Sequence, residues 1–179
     1  METNVTTSAE TKVTTPVTKG VIISLILIVF GIALYFAGES TNQGLGSLQY
    51  VILVGGIIWG CINYANQMHN NVTFGNVFAH GFKTTAVITV ITIIYTIIAL
   101  KFLFPDMVDM ILNKTRESLA EKNMSDEQSE SALSMTRKFL IPFAAGGILV
   151  MFLIVGAVSS LIGAAVAKKK PQGPFVQQG

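Results

Sequence analysis

The hydrophobic and polar positions of this chain are segregated into long blocks. Four blocks are almost wholly apolar and cover residues 21–37, 48–65, 82–104 and 139–167. About 20 consecutive apolar residues wound as an α-helix match the roughly 30 Å hydrocarbon core of a bilayer. The pattern therefore predicts an all-α integral membrane protein, with a four-helix transmembrane bundle as its single domain over residues 20–168.

The polar block between the third and fourth apolar segments keeps a helical period. Residues 106–138 repeat apolar positions at helical spacing, and Ser125 with Gln128 three residues later is the signature of a capping box. This spacing predicts an extramembrane helical hairpin over 106–138, with its turn at residues 122–125. Pro142 then predicts a kink early in the fourth span.

The chain ends are polar and are predicted to be disordered. Residues 1–19 are rich in Thr, Ser, Glu and Lys, and residues 169–179 form a second tail. The first apolar block resembles the core of a signal peptide, but it is long for such a core and a polar segment precedes it. We expect an uncleaved first span.

The segment before the third apolar block leaves two interpretations open. Phe74, Phe78 and Phe82 are spaced four apart, which places their rings on one helical face, and Thr73 is a suitable N-cap. Either a short helix lies at the membrane surface with this face in the lipid, or the third span begins early.

Composition supports the membrane class and excludes others. The 179 residues are 51% hydrophobic and 12% charged, whereas about a quarter of a soluble domain is charged. A net charge of +2 without a basic stripe argues against nucleic-acid binding. Cys61 is the only cysteine, so the chain has no disulfide framework.

Basic residues favour an orientation with both termini in the cytoplasm. Lys19, Lys83 and the lysines at 168–170 flank spans on one side of the membrane. The turn between the first two spans lies on the other side, and its only charged residue is Glu39. Residues 106–138, on the other side, carry five bases and seven acids, a net charge of 5 − 7 = −2. Arg137, Lys138 and Lys101 oppose this orientation, because they are basic residues near span ends on the side assigned to the exterior.

The predicted spans carry no chemistry suited to catalysis. They hold no Asp, Glu, Arg or His, and Lys101 lies near a span end. Because buried ionisable groups mark proton paths and catalytic centres in membranes, we expect inert spans and no enzyme. His69 and His80, the only histidines, have no further ligands at metal-binding spacing, so no metal and no cofactor is predicted.

Two sets of small or hydroxylated residues suggest helix contacts. Thr85, Thr89, Thr92 and Thr96 share one face of the third span, either as a polar track or as a packing face. A second set of small residues lets helices approach closely, within the bundle or towards a partner. Its members are Gly56, Gly60, Gly156, Ser160 and Gly163.

The layout resembles a family of small four-span bacterial proteins named domain of unknown function 4199. The resemblance is carried by Thr-Phe-Gly-Asn-Val-Phe at 73–78, Gly81-Phe82, a long third span with Tyr95 that ends at Pro105, and Met-Ser-Asp-Glu-Gln at 124–128. A final Gly/Ala/Ser-rich span closed by lysines completes it. The resemblance implies a bacterial inner (cytoplasmic) membrane location. It carries no activity, cofactor or catalytic residue.

Two functions follow as hypotheses. The first is a non-enzymatic accessory or scaffolding subunit, whose small-residue faces or outward hairpin bind other membrane proteins or a second copy of the chain within the bilayer. The alternative is a small oligomeric transporter or channel, in which the threonine face from Thr85 to Thr96 lines the path.

Overall fold

A computed structural model describes residues 13–169, which form five α-helices and one π-helical turn. In chain order these are α1 (Pro16–Phe36), α2 (Gln43–Gln67), α3 (Phe74–Ile98), the π-turn (Ala99–Leu103), α4 (Asp106–Glu121) and α5 (Asp126–Val166). No strand occurs in this range. The helices α1, α2, α3 with its π-turn, and α5 are long and apolar enough to cross a membrane. The all-α class and the four apolar helices are confirmed.

Side-chain caps set the first residue of four helices, among them α2, where the Asn42 side chain accepts hydrogen bonds from the Gly44 and Leu45 backbone N–H groups. Thr15 accepts a hydrogen bond from the Thr18 backbone N–H just before Pro16, a residue suited to the first helical position. Thr73 caps α3 in the same way. The predicted capping box is present, since Ser125 and Gln128 exchange side-chain-to-backbone hydrogen bonds at the start of α5.

Two predicted boundaries are corrected by these caps. The first helix begins at Pro16, so residues 16–19 are helical and do not belong to a disordered tail. The third helix begins at Phe74, so of the two interpretations the early start of the third span is correct, and residues 74–82 do not form a separate helix. The tail predictions for residues 1–12 and 170–179 lie outside the described residues.

Contacts between helix ends define two ends of the bundle. At one end, which we call the Lys19 end, Thr14 bonds Gln67 and Lys169 lies over the Phe74 ring. We call the other end the hairpin end, after the helical hairpin predicted over residues 106–138. There α4 meets the turn between α1 and α2, where Lys114 bonds the Thr41 carbonyl. The helices α2 and α5 therefore run parallel to each other and antiparallel to α1 and α3. The helix α3 contacts α1, α2 and α5, and its contact with α5 is the most extensive.

Glycines allow the helices to approach closely at several points. A methyl group at Gly156 of α5 would overlap the Thr85 side chain of α3. One at Gly163 would lie 2.7 Å from Cys61 Cβ, and one at Gly81 would lie 2.5 Å from Cys61 Sγ. Because real Cβ atoms do not approach so closely, a larger residue at these positions would require a neighbouring side chain or helix to shift.

The outer surface of the four long helices is rich in large apolar side chains. Val29, Val51, Val90 and Val150 are all more than half exposed. By contrast, α4 has polar residues on one face and no fully buried residue. The apolar surface is thus confined to the candidate spans.

Candidate functional sites

Lys19 is the most unusual residue of the bundle, because its side chain is 0% exposed. Its amine, Nζ, donates a hydrogen bond to the Gly60 carbonyl at 3.0 Å and lies 5.8 Å from the centroid of the Tyr64 ring. No carboxylate within residues 13–169 forms an ion pair with it. The amine is therefore surrounded by a carbonyl and an aromatic face, without an opposite charge from this part of the chain.

His80 extends this polar group from α2 to α3. Its ring stacks on Tyr64 with centroids 4.1 Å apart, and it is 6% exposed. Its Nε2 is buried and has no partner among the described residues. Cys61 is buried in α2, three residues before Tyr64. Its Sγ lies 3.7 Å from the Val77 carbonyl oxygen of α3 and donates a weak hydrogen bond to it. We call these four residues, Lys19, Cys61, Tyr64 and His80, the Lys19 cluster.

The Lys19 cluster overturns the expectation that the long helices are inert. The predicted spans began after Lys19 and after His80, whereas the caps at Thr15 and Thr73 place both residues inside helices. A sequence signal for this was available. With a helix beginning at Pro16, Lys19 falls on the same face as Ile23 and Leu27, and all three are buried.

The chemistry available to the cluster is limited. It contains no acid, and residues 13–169 contain no group of three His, Cys, Asp or Glu side chains able to hold a metal ion. The contacts of the Lys19 cluster join α1 to α2 through Lys19 and Gly60, and they join α2 to α3 through Tyr64 and His80. We interpret the cluster as a polar connection among three helices at the Lys19 end.

The small-residue faces lie inside the bundle. Gly156 meets Thr85, Gly163 meets Cys61, and Ser160 lies beside Gly81. Gly56 faces Ile23 of α1, and Gly60 faces the stem of Lys19. These five residues are therefore occupied by intramolecular contacts, so they do not offer the partner surface that was one interpretation of their pattern.

The threonine face divides into two halves. Thr85 and Thr89 are buried, and their hydroxyls donate to the carbonyls of Gly81 and Thr85, four residues earlier. Thr92 and Thr96 instead line open space within the hairpin half of the bundle. The four residues do not line a continuous path, because the close contact of Thr85 with Gly156 interrupts it.

Two adjoining cavities occupy the hairpin half. One has a volume of 240 Å³ and the other 160 Å³, and they share the lining residues Gly31, Gln49, Tyr95 and Thr96. Neither is lined by a residue of the Lys19 cluster. Neither cavity can be predicted from the sequence, because open space between helices leaves no periodic signal.

Comparison with known proteins gives one match. The family profile described as "Protein of unknown function (DUF4199)" matches residues 18–169, which confirms the resemblance seen in the sequence. No curated protein and no solved structure matches the chain.

Replacing Lys19 tests whether its amine stabilises the bundle. We expect Lys19→Met to unfold at the same temperature as the parent chain or a higher one, because an apolar side chain of similar length avoids the desolvation of a buried amine. Lys19→Ala is expected to lose about 2–5 kcal/mol of unfolding free energy through the cavity it leaves.

Thermal unfolding in detergent micelles measures both variants, and Lys83→Met, at an exposed position, is the matched control. If Lys19→Met were as destabilising as Lys19→Ala, the hydrogen bond to Gly60 would be the feature that holds α1 in place.

Proposed function

This chain belongs to the DUF4199 family of proteins of unknown function, and we propose that it is a non-enzymatic multi-pass membrane protein that binds another membrane protein. The proposed contact surface is the pair of helical segments formed by α4 and the first part of α5, residues 106–138, which we call the arm. We further propose that it resides in a bacterial inner membrane, as the family resemblance implies.

Helix lengths support four membrane crossings. The 21 residues of α1 extend about 31 Å at 1.5 Å per residue, close to the thickness of the hydrocarbon core. The exposed apolar side chains of α1, α2, α3 and α5 would face lipid tails, which removes the cost of leaving them uncovered. The buried Lys19 would remain shielded from lipid by α2.

The single observation that carries the proposal is the length of α5. Its 41 residues extend about 62 Å, roughly twice the hydrocarbon thickness. The end at Val166 is level with the ends of the other helices at the Lys19 end, so the excess length lies at the hairpin end. The first part of α5, together with α4, would therefore stand outside the lipid.

The arm is attached to the rest of the chain by a limited set of contacts. The helix α4 packs against α5 and touches the π-turn, Lys114 donates a hydrogen bond to the Thr41 carbonyl, and Asp106 accepts one from the Tyr35 hydroxyl. Arg137 and Asp109 form the one ion pair of the described residues at 3.5 Å, and both side chains are 67% exposed. Exposed pairs contribute at most about 1 kcal/mol. No residue of the arm is fully buried, so a partner that covers part of its surface is expected to stabilise it.

Transport receives less support from the same geometry. The threonine face is closed where Thr85 meets Gly156, and neither Thr85 nor Thr89 lines the cavities of the hairpin half. A solute path would require these helices to separate, although glycine contacts hold them together. Neither cavity is lined by a charged, His or Cys side chain that would support a catalytic function.

We also propose that both termini face the cytoplasm, because exposed Lys83 and Lys168 lie at the Lys19 end and the arm carries a net charge of 5 − 7 = −2. A reporter that is active only outside the cytoplasm should be active when fused after Ser125 and inactive when fused after Asn71. The reverse pattern would contradict this orientation.

Site-specific photocrosslinking in living cells tests the partner surface. A photoreactive amino acid at Met135, a 63% exposed arm residue, is expected to give one adduct of defined mass. The same amino acid at Val150, which is 56% exposed on a candidate span, is the matched control and should give no defined adduct.

An adduct of twice the chain mass would identify the partner as a second copy. If Met135 and a second arm position at Glu117 gave no adduct, or only the pattern seen at Val150, the arm would not be a binding surface.

A further inference from the structure

The two adjoining cavities of the hairpin half contrast with the dense packing of the Lys19 half. Protein interiors normally leave few voids larger than a water molecule. In the Lys19 half of this bundle, a single added methyl group meets a neighbour at Gly81, Gly156 and Gly163. Along the same helices, the hairpin half leaves cavities of 240 and 160 Å³ that are partly open at the surface of the bundle. The open space is thus local and is not a general looseness of the fold.

Gly31 keeps the space between α1 and α2 open. A methyl group there would lie 3.3 Å from Gln49 Nε2 and would fill part of both cavities. Gly31 adopts no unusual backbone conformation that would require a glycine. Its lack of a side chain therefore serves to leave room beside the Gln49 amide.

The π-turn forms another wall of the larger cavity. At its end the Phe104 N–H bonds the Ala99 carbonyl, five residues earlier, at 2.8 Å. Ala99, Leu100 and Phe104 all line the cavity. Such π-helical turns inside α-helices occur frequently at functional sites, because they widen the helix and redirect its side chains.

An aromatic and hydrogen-bonded contact lies at the hairpin end of the larger cavity. The Tyr35 ring packs on Phe104 with centroids 4.0 Å apart, and the Tyr35 hydroxyl donates to the Asp106 carboxylate at 2.7 Å. Both aromatic residues line the cavity. This contact fixes the position of the Tyr35 ring in the cavity wall.

The lining combines apolar walls with neutral polar groups. Gln49, Tyr95 and Thr96 contribute an amide and two hydroxyls to both cavities, and no charged side chain lines either one. Ser40 in the larger cavity and Thr92 in the smaller have buried hydroxyl oxygens without a partner among residues 13–169. By contrast, the hydroxyls of Thr84, Thr85 and Thr89 all bond carbonyls of their own helix.

We infer that these adjoining cavities form a binding site for a neutral amphipathic small molecule with one or two rings and a hydroxyl or carbonyl group. The size follows from the volumes, since an apolar cavity of about 150 Å³ takes up benzene and drug-sized ligands need roughly 300 Å³ or more. Neutrality follows from the uncharged lining. The polar group of the ligand would bond Gln49 and Tyr95, and its rings would contact the apolar walls.

Photolabelling of the purified full chain in detergent micelles tests this site. The probe is 4-hydroxybenzophenone at a mildly acidic pH, where it is neutral, and benzophenone is the matched probe without a hydroxyl. We expect 4-hydroxybenzophenone to label Leu100 and Ile28 more than benzophenone does, by a factor of roughly two to twelve after correction for partition into micelles. That factor corresponds to one net hydrogen bond.

Three variants make the result specific to the cavities. Gly31→Leu fills the space and should reduce labelling of Leu100 and Ile28 to the level of lipid-facing residues. Gln49→Leu leaves the volume and should abolish the preference for the hydroxylated probe. Gly147→Leu, at an exposed glycine with nothing within 4 Å, should change neither result.

Equal labelling by both probes, or labelling of cavity residues that Gly31→Leu does not reduce, would overturn the inference. Labelling confined to lipid-facing residues such as Val150 would overturn it as well. If Gly31→Leu fails to fold, the comparison of the two probes on Gln49→Leu decides alone.

Discussion

The close approach of α3 and α5 is the contact on which the rest of the bundle depends. In lipid, no hydrophobic effect would draw these helices together, so association must come from van der Waals contact and hydrogen bonds between well-fitted surfaces. Gly156 against Thr85, and Gly81 beside Ser160, provide that fit. The buried hydroxyls of Thr85 and Ser160 bond carbonyls of their own helices, so that contact leaves neither of them without a partner.

This contact also accounts for the difference between the two halves of the bundle. At the Lys19 end, Cys61 of α2 packs against Gly81 of α3 and Gly163 of α5. The stem of Lys19 and the stacked rings of Tyr64 and His80 lie beside this contact. Towards the hairpin end the glycine contacts stop. There the π-turn and Gly31 leave the helices separated by cavities, and α5 continues beyond the other helices into the arm. Rigid packing and open space thus occur on the same four helices.

The helices themselves could be predicted from the sequence, because hydrophobic length and cap residues act locally. The capping box at Ser125 and the N-cap at Thr73 are present where the residue pattern predicts them. The burial of Lys19 is not evident from the apolar blocks, because it depends on the helix beginning at Pro16 and on the carbonyl of Gly60, 41 residues later. The small-residue pattern predicts that the faces containing Gly156 and Gly163 are contact surfaces, but a glycine pattern does not specify which helix it meets. The cavities arise from the spacing of three helices and have no local signature.

A double-mutant cycle between Thr85 and Gly156 tests the central contact most directly. Gly156→Ala should lower the unfolding free energy in micelles by about 1–3 kcal/mol, because it inserts a methyl group where Thr85 lies. In a Thr85→Ala background the same change should cost less, with a coupling energy of roughly 0.5 kcal/mol or more. Additive effects of the two substitutions would show that α3 and α5 are not held together at this point, and the dependence of the bundle on this contact would be disproved.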